Sequence, residues 1–418
     1  MVRPTRLLNR HFVLLWQGQF VSQMGNQAFL IAMMFWIKHE TASASLMGLI
    51  MMISSLPAVV LGPVAGTFAD RHSRKKIIVY CDLLNGIAVL TLSGLLFFDH
   101  EASATVLAWL FGVTIFTSVV GTFFRPAISA SIPDLVPVER VAAANSMNQV
   151  STQLSSFIGQ GSGGVLYRLL GAPVLFLIDG MSFIFSAVSE AFIHIPQTIP
   201  RKKGSWRESL DGFKSDLTGG LQYVWKNEGM RALFLIASVL NFFFSPFIVL
   251  LPFYVEDYLL ADPDWFGYML AMWGMGSLVG YSLAAIVKLP GKKRCRWMIL
   301  SLGILGAGLG GLSLINSTYL AVILMLIVGV MAGFFNINVM TILQITTPSE
   351  IRGRVFGLLG TLSMSLMPFG MGLAGIIVDW LDKNVIPIFA GCGTVIILVT
   401  VIVSFQRAFR NYLAYDID

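Results

Sequence analysis

Charged side chains are what this chain most lacks. They make up 12% of its 418 residues, while hydrophobic residues make up 56%. Ordinary soluble domains carry roughly 25% charge, so a string of soluble domains is excluded. Cysteine is equally scarce. Cys81, Cys295 and Cys392 lie on separate apolar runs without metal-ligand spacing, and neither a disulfide framework nor a cysteine metal site is expected. No Gly-rich phosphate loop is present, and none of the five histidines stands at a useful spacing from a Ser or Cys nucleophile. ATP hydrolysis is thereby excluded, and the reading is of a non-enzyme without cofactor or metal, driven by a gradient. A net charge of +6 would suit a nucleic acid, but the cations sit in short turns between apolar runs. No nucleic-acid partner is expected.

What the chain does have is a succession of apolar runs. Several exceed the ~18 residues needed to cross ~30 Å of hydrocarbon as a helix. Twelve spans are read, near 12–36, 45–69, 77–98, 103–124, 142–167, 173–193, 230–255, 265–287, 296–315, 319–342, 353–378 and 385–405. Arg3, Arg6 and Arg10 precede the first run and no small-residue cleavage site follows it, so it is read as a permanent span. With both termini inside, only Lys38, Arg168 and Lys383 of the 28 Lys and Arg fall on outer turns. That is the positive-inside asymmetry, and an odd number of spans would scramble it. A monomeric multi-pass protein of a plasma membrane of the bacterial inner-membrane type is expected, bathed in lipid, with both termini cytoplasmic.

The spans divide into a six-helix bundle over 1–193, a linker over 194–229 and a second six-helix bundle over 230–418. The expected fold is therefore an all-α polytopic one, with twelve transmembrane helices in two pseudo-symmetric halves. One shift of 211 residues carries Pro137-Val-Glu139 onto Pro348-Ser-Glu350, and Gly159, Gly161, Gly164 and Gly180 onto Gly370, Gly372, Gly375 and Gly391. In the linker, Ser205 and Glu208 make a capping box. Trp206, Leu210, Phe213, Leu217 and Leu221 follow at helical spacing among cations, which predicts an amphipathic helix on the inner membrane surface. A plain tether between the bundles is the competing reading.

The turn Gly66-Thr-Phe-Ala-Asp-Arg-His-Ser-Arg-Lys-Lys76 separates the second and third spans. Its pattern, G-x-x-x-D-R-x-x-R-K, resembles the loop between helices two and three of the major facilitator superfamily. The span order and the glycine-rich fifth span resemble that superfamily over essentially the whole chain. Phe124-Arg125-Pro-Ala127 leading into Pro133-Asp134-Leu135, and Gln344-Ile-Thr-Thr-Pro348-Ser-Glu350-Ile-Arg352-Gly-Arg354, resemble its macrolide-efflux and enterobactin-exporter branch. The resemblance implies the major facilitator fold. It also implies export of drug-like or other small organic molecules by alternating access, with protons as the exchanged partner. Export of lipids or siderophores, without proton coupling, is the alternative, since spans one, four and seven carry no acid. A non-transporting sensor or scaffold is a further alternative, for which neither a large soluble domain nor loss of the repeat speaks.

Under that resemblance the inner gate consists of Gly66, Asp70, Arg71, Arg74, Lys75, Asp82, Arg125, Glu350, Arg352 and Arg354. Asp70 is read as meeting the positive N-terminal end of the eleventh span, and Gly62 with Gly66 as a small-x-x-x-small face for close helix approach. Asp82 and Arg125 are read as an ion pair extending the gate, and Glu190 as paired with a basic loop residue. Asp179 has no cation assigned near it except Arg168. A carboxylate in apolar surroundings is suited to taking up and releasing a proton, which makes Asp179 the proton-coupling candidate. A solvated place in the outer vestibule is its competing reading.

Gln19, Gln23 and Asn26 share a face of the first span at i, i+4, i+7. With Asn241, Phe244, Trp273, Asn336 and Asn338 they are the expected cavity lining, suited to an amphipathic molecule held by apolar and cation–π contact. Packing between helices is the competing reading of each. Gly159, Gly163 and Gly164 in the fifth span, and Gly370 and Gly375 in the eleventh, are read as helix seams. Gln160 stands where drug antiporters commonly have proline, which leaves the fifth-span kink open, while Pro368 supplies a bend in the eleventh.

Overall fold

The computed structural model describes residues 6–98, 103–197, 218–287 and 289–415. These are almost wholly helical, and eleven helices among them are long and apolar enough to cross a membrane. One of the eleven, Val138–Ala191, has 54 residues, ~80 Å of helix at 1.5 Å per residue. It breaks at Gly171, whose φ of 72° is left-handed, two residues before Pro173. Counted as two, it completes the twelve expected spans. Most of the linker helix expected from Ser205 lies outside the described residues; the chain is helical over 218–226.

By internal contacts the chain forms two compact units, Met1–Ala42 with Ile53–Asp211 and Ser43–Met52 with Gly212–Asp418. The first holds α1 (Arg10–Thr41), most of α2 (Ala44–Arg71), α3 (Arg74–Phe98), α4 (Ala104–Leu135) and α5 (Val141–Ala191). Asn9 caps α1, its Oδ1 accepting from the backbone N–H of His11 and Phe12 at 3.1 Å. Its Nδ2 donates to the Leu135 carbonyl at 2.7 Å, tying the start of α1 to the end of α4. The fourth span was expected to end near residue 124, but α4 runs through Pro126 and Pro133 to Leu135. Ala127, Ile128, Ser131, Ile132 and Leu135 recur at helical spacing and are all buried. Four of them join a core with Phe12, Ala69 and Ile77, and that packing sustains the helix past its prolines. Gly159 and Gly163 lie against Gln27 and Ile31 of α1. The stretch around Gln160 stays helical, since Gly171 is the only non-helical residue in α5.

The second unit holds α6 (Glu228–Phe253), α7 (Asp264–Ile286), α8 (Gly291–Gly311), α9 (Thr318–Thr346), α10 (Ser349–Ser365), α11 (Met367–Trp380), α12 (Ile386–Phe405) and α13 (Arg407–Leu413). The eleventh span is thus divided at Leu366, with Pro368 in the first turn of α11. Its missing N–H is no loss there. Gly276 and Gly280 of α7 face Gly329 and Gly333 of α9 so closely that a Cβ on any of the four would run into a backbone carbonyl opposite. The start of α2 belongs to this unit. Asp379, near the end of α11, accepts from the N–H groups of Ala44 at 3.0 Å and Ser45 at 2.8 Å and from the Ser43 hydroxyl at 3.0 Å. Gly375 abuts the Ala44 carbonyl, and Gly48 leaves room for the Met371 carbonyl. Gly370 packs on Phe242 and Ser245 of α6.

Candidate functional site

The second half of α5 carries Asp179, Ser182, Ser186 and Glu190 at steps of three and four, so one face is polar from end to end. That face meets α1 and α3, and glycines bring the three helices together. A Cβ on Gly18 would sit 3.0 Å from Ser186 Oγ, and one on Gly25 would collide with Ser182 and lie 2.8 Å from Asp179 Oδ1. On α3, a Cβ on Gly86 would stand 3.0 Å from the Gly180 carbonyl. Asp82 lies one turn before Gly86 and therefore points to the same side.

The result is a ladder of three carboxyl groups, Asp82, Asp179 and Glu190, each only 1% exposed. Gln19 Nε2 donates to Glu190 Oε1 at 2.8 Å. Ser182 Oγ donates to the Asp179 carbonyl at 2.7 Å. Both side-chain oxygens of Asp82, both of Asp179, Glu190 Oε2, Asn85 Oδ1 and Ser186 Oγ have no hydrogen-bond partner. Asp82 faces Ser186 and Glu190, and no Lys, Arg or His among the described residues stands beside any of the three acids. Breaking a buried ion pair costs ~3–5 kcal/mol because it leaves one charge uncompensated, and acids kept at membrane depth are as a rule functional.

Two of the expected pairings are therefore corrected. Asp82 does not pair with Arg125: it turns to the fifth helix because it shares a face with Gly86, while Arg125 is exposed within α4 rather than at its end. Glu190 is bonded to Gln19, not to a loop cation. Gln19 is consequently 4% exposed and occupied by that bond.

The basic turn is organised by a residue that the gate reading left out. Arg74 Nη1 donates to Asp134 at 2.6 Å and to the Ala130 carbonyl at 2.8 Å. Asp70, with its side chain 71% exposed, is 3.6 Å from Arg74. Gln197 accepts from the Arg74 N–H at 2.9 Å and donates to the His72 carbonyl at 3.0 Å, clamping the turn from the far end of the unit. Arg71 and Lys75 are half-buried. Gly62 and Gly66 lie one turn apart in the second half of α2. In the second unit Arg352 and Arg354 are exposed, and Arg352 donates to the Thr347 carbonyl at 3.3 Å. Glu350 lies in the first turn of α10, its side chain outside the described residues.

The polar and aromatic residues expected at a cavity separate by environment. In the first unit Asn26 is exposed, while Gln23 is half-buried with Oε1 unpartnered. In the second, Phe244 lies tilted against Trp273 and Phe247, at centroid distances of 5.9 and 5.6 Å, and Trp273 Nε1 has no partner among the described residues. Asn241 and Asn338 donate to carbonyls one turn back on their own helices, at 2.9 and 2.8 Å. Asn336 is exposed. Gly164 is buried in α5 beside Gly163.

The model of the major facilitator superfamily matches residues 15–371 of the chain. The chain is 26% identical over 406 residues to macrolide efflux protein A of Streptococcus pyogenes, covering 96% of both chains. It is 25% identical over 364 residues to the multidrug efflux pump Tap of Mycolicibacterium fortuitum, covering 85% of this chain and 86% of that one. Among solved structures, a bacterial homologue of the iron transporter ferroportin in its inward-facing state superposes with a TM-score of 0.75 at 15% identity, covering 96% of this chain and all of the other. This chain belongs to the major facilitator superfamily and is a polytopic membrane transporter.

Proposed function

We propose that this transporter exports amphipathic small organic molecules across a bacterial inner membrane by alternating access, exchanging them for protons, as a monomer with both termini in the cytoplasm. The observation that carries the proton reading is Asp179, 1% exposed with neither carboxyl oxygen partnered. A buried acid without a cation is the group a proton antiporter needs, because its charge cannot persist there at low cost. The efflux relatives support the direction and the class of cargo.

Asn26 and Gln23 in the first unit, and Phe244, Trp273 and Asn336 in the second, supply cargo contacts in this reading. Aromatic faces with uncharged polar groups suit an apolar or cationic organic molecule. Asp70, Arg71, Arg74 and Lys75 are the gate element of the first unit, held in shape by Asp134. Arg352 and Arg354, with Glu350, are that of the second.

The test is survival of a host stripped of its own pumps and expressing the protein, scored across toxic organic compounds with and without a protonophore. Protection that the protonophore abolishes is expected. Protection unaffected by it would leave an exporter of organic molecules without proton coupling. Absence of protection, with export of a lipid or siderophore instead, would replace the cargo.

A further inference from the structure

Asp82 and Glu190 face one another from α3 and α5, and both are almost completely enclosed. An ionised carboxylate is acceptor-only. Two such groups in contact, with no cation between them, repel unless a proton lies between them. The donors at hand do not relieve this: Gln19 reaches only Glu190 Oε1, and Glu190 Oε2 and both Asp82 oxygens remain free. Ser186, fully buried, adds an unpartnered hydroxyl to the same spot.

We propose that Asp82 and Glu190 are a carboxyl–carboxylate pair sharing one proton, a proton-binding site inside the N-terminal unit. One carboxyl donates its O–H to the other, and Ser186 is placed to donate to, or accept from, whichever oxygen is left. Asp179 stands eleven positions before Glu190 on the same helix face, about 16 Å along the axis, with Ser182 and Ser186 as hydroxyls between. The pair is thus the inner end of a polar track whose outer end is Asp179. The step balances: a proton taken up at one end forms an O–H bond on a carboxylate there, and an O–H bond breaks at the other end as a proton leaves.

The charged and titratable neighbours are few. α3 contributes the Cys81 thiol beside Asp82, and α5 contributes Asp179, near enough to feel the Asp82 charge. α1 offers Gln19 and no ionisable group, and α4 directs neither Arg125 nor Asp134 to the pair.

That the site serves transport rests on the proton-exchange reading above; the shared proton itself does not. Infrared spectra of the full-length protein in lipid, taken from acidic to alkaline buffer, read it directly through the carbonyl stretch of neutral carboxyl groups. At neutral pH the Asp82→Asn/Glu190→Gln double variant is expected to lose one neutral carboxyl relative to wild type, and each single variant to shift that band rather than leave it unchanged. Loss of two bands, loss of none, or single-variant effects that simply add would overturn the proposal. So would a band that follows sodium at fixed pH. Should Glu190→Gln fail to elute as a single folded species, Asp82→Asn decides by the same band. If the shared proton is found but export ignores the proton gradient, the exporter reading fails and the site stands.

Discussion

Arg74 donates to Asp134 across 2.6 Å, while Asp70, one turn before Arg74, is 3.6 Å away with its side chain 71% exposed. The acid that fixes the basic turn is therefore the one at the end of α4. Charge-assisted bonds of a partly enclosed pair contribute ~1.5–3 kcal/mol, whereas an exposed pair contributes ~0–1 kcal/mol. Asp134→Ala should lower the thermal midpoint in detergent measurably, and Asp70→Ala should leave it nearly unchanged. Equal losses from the two variants would contradict the assignment. If transport then fails in Asp70→Ala with stability intact, the role of Asp70 is in gating rather than in folding.

Asp379 bonds the first turn of α2 through two backbone N–H groups and a hydroxyl. Removing a cap of this kind costs ~0.5–2 kcal/mol, and 1.4 kcal/mol is tenfold in an opening equilibrium. Asp379→Ala should accelerate amide exchange at Ala44 and Ser45 about tenfold, with Asp379→Asn intermediate because it keeps an acceptor. Unchanged exchange at both amides would refute the cap.

Four glycines on α7 and α9 occupy positions where a Cβ meets a backbone carbonyl, which cannot move aside as a side chain can. Gly329→Ala should destabilise the C-terminal unit by about 1–3 kcal/mol, the usual cost of overpacking. Gly360→Ala, where nothing lies within 4 Å, should be neutral or stabilising by about 0.5–1 kcal/mol, since alanine is favoured in a helix. Denaturant titration of the two variants side by side separates packing from propensity.

Burial pushes the Tyr412 phenol up to about 12, against a smaller opposing effect of its hydrogen bond with Thr346 at 2.8 Å. The unfolded value is about 10, so the folded value is the higher one. Tyr412 on α13 therefore contributes stability that is fully present below about pH 10 and is lost as pH rises through about 12. Tyrosinate absorbance should show a late-titrating residue that Tyr412→Phe removes. An unaltered titration would place Tyr412 in solvent.

Much of the fold was legible because apolar length and charge asymmetry are one-dimensional signals. Twelve apolar runs need no knowledge of which way a helix faces. The site was only half legible for the opposite reason. Asp82 looked like a partner for Arg125 because both lie near adjoining ends of spans that follow one another in the sequence. Which face Asp82 presents is decided by the Gly86–Gly180 crossing, a tertiary contact. A local signal did exist: Asp179, Ser182, Ser186 and Glu190 keep steps of three and four, a polar stripe that a membrane helix does not carry without a partner. The paired G-x-x-x-G stretches at Gly276–Gly280 and Gly329–Gly333 were equally readable and mark a tight seam of the C-terminal unit. Asp134 was visible only as part of a resemblance; its bond to Arg74 depends on α4 continuing past two prolines, against local propensity.

In the proposed cycle, cargo leaves as a proton enters through the buried acids of the N-terminal unit. Proteoliposomes holding a pH-sensitive dye measure this directly, on addition of a compound from which the protein protects cells. Proton movement that depends on the compound, seen with the wild type and lost in Asp179→Asn while that variant remains folded, is the result expected. Wild-type transport of the compound with no accompanying proton movement would contradict it.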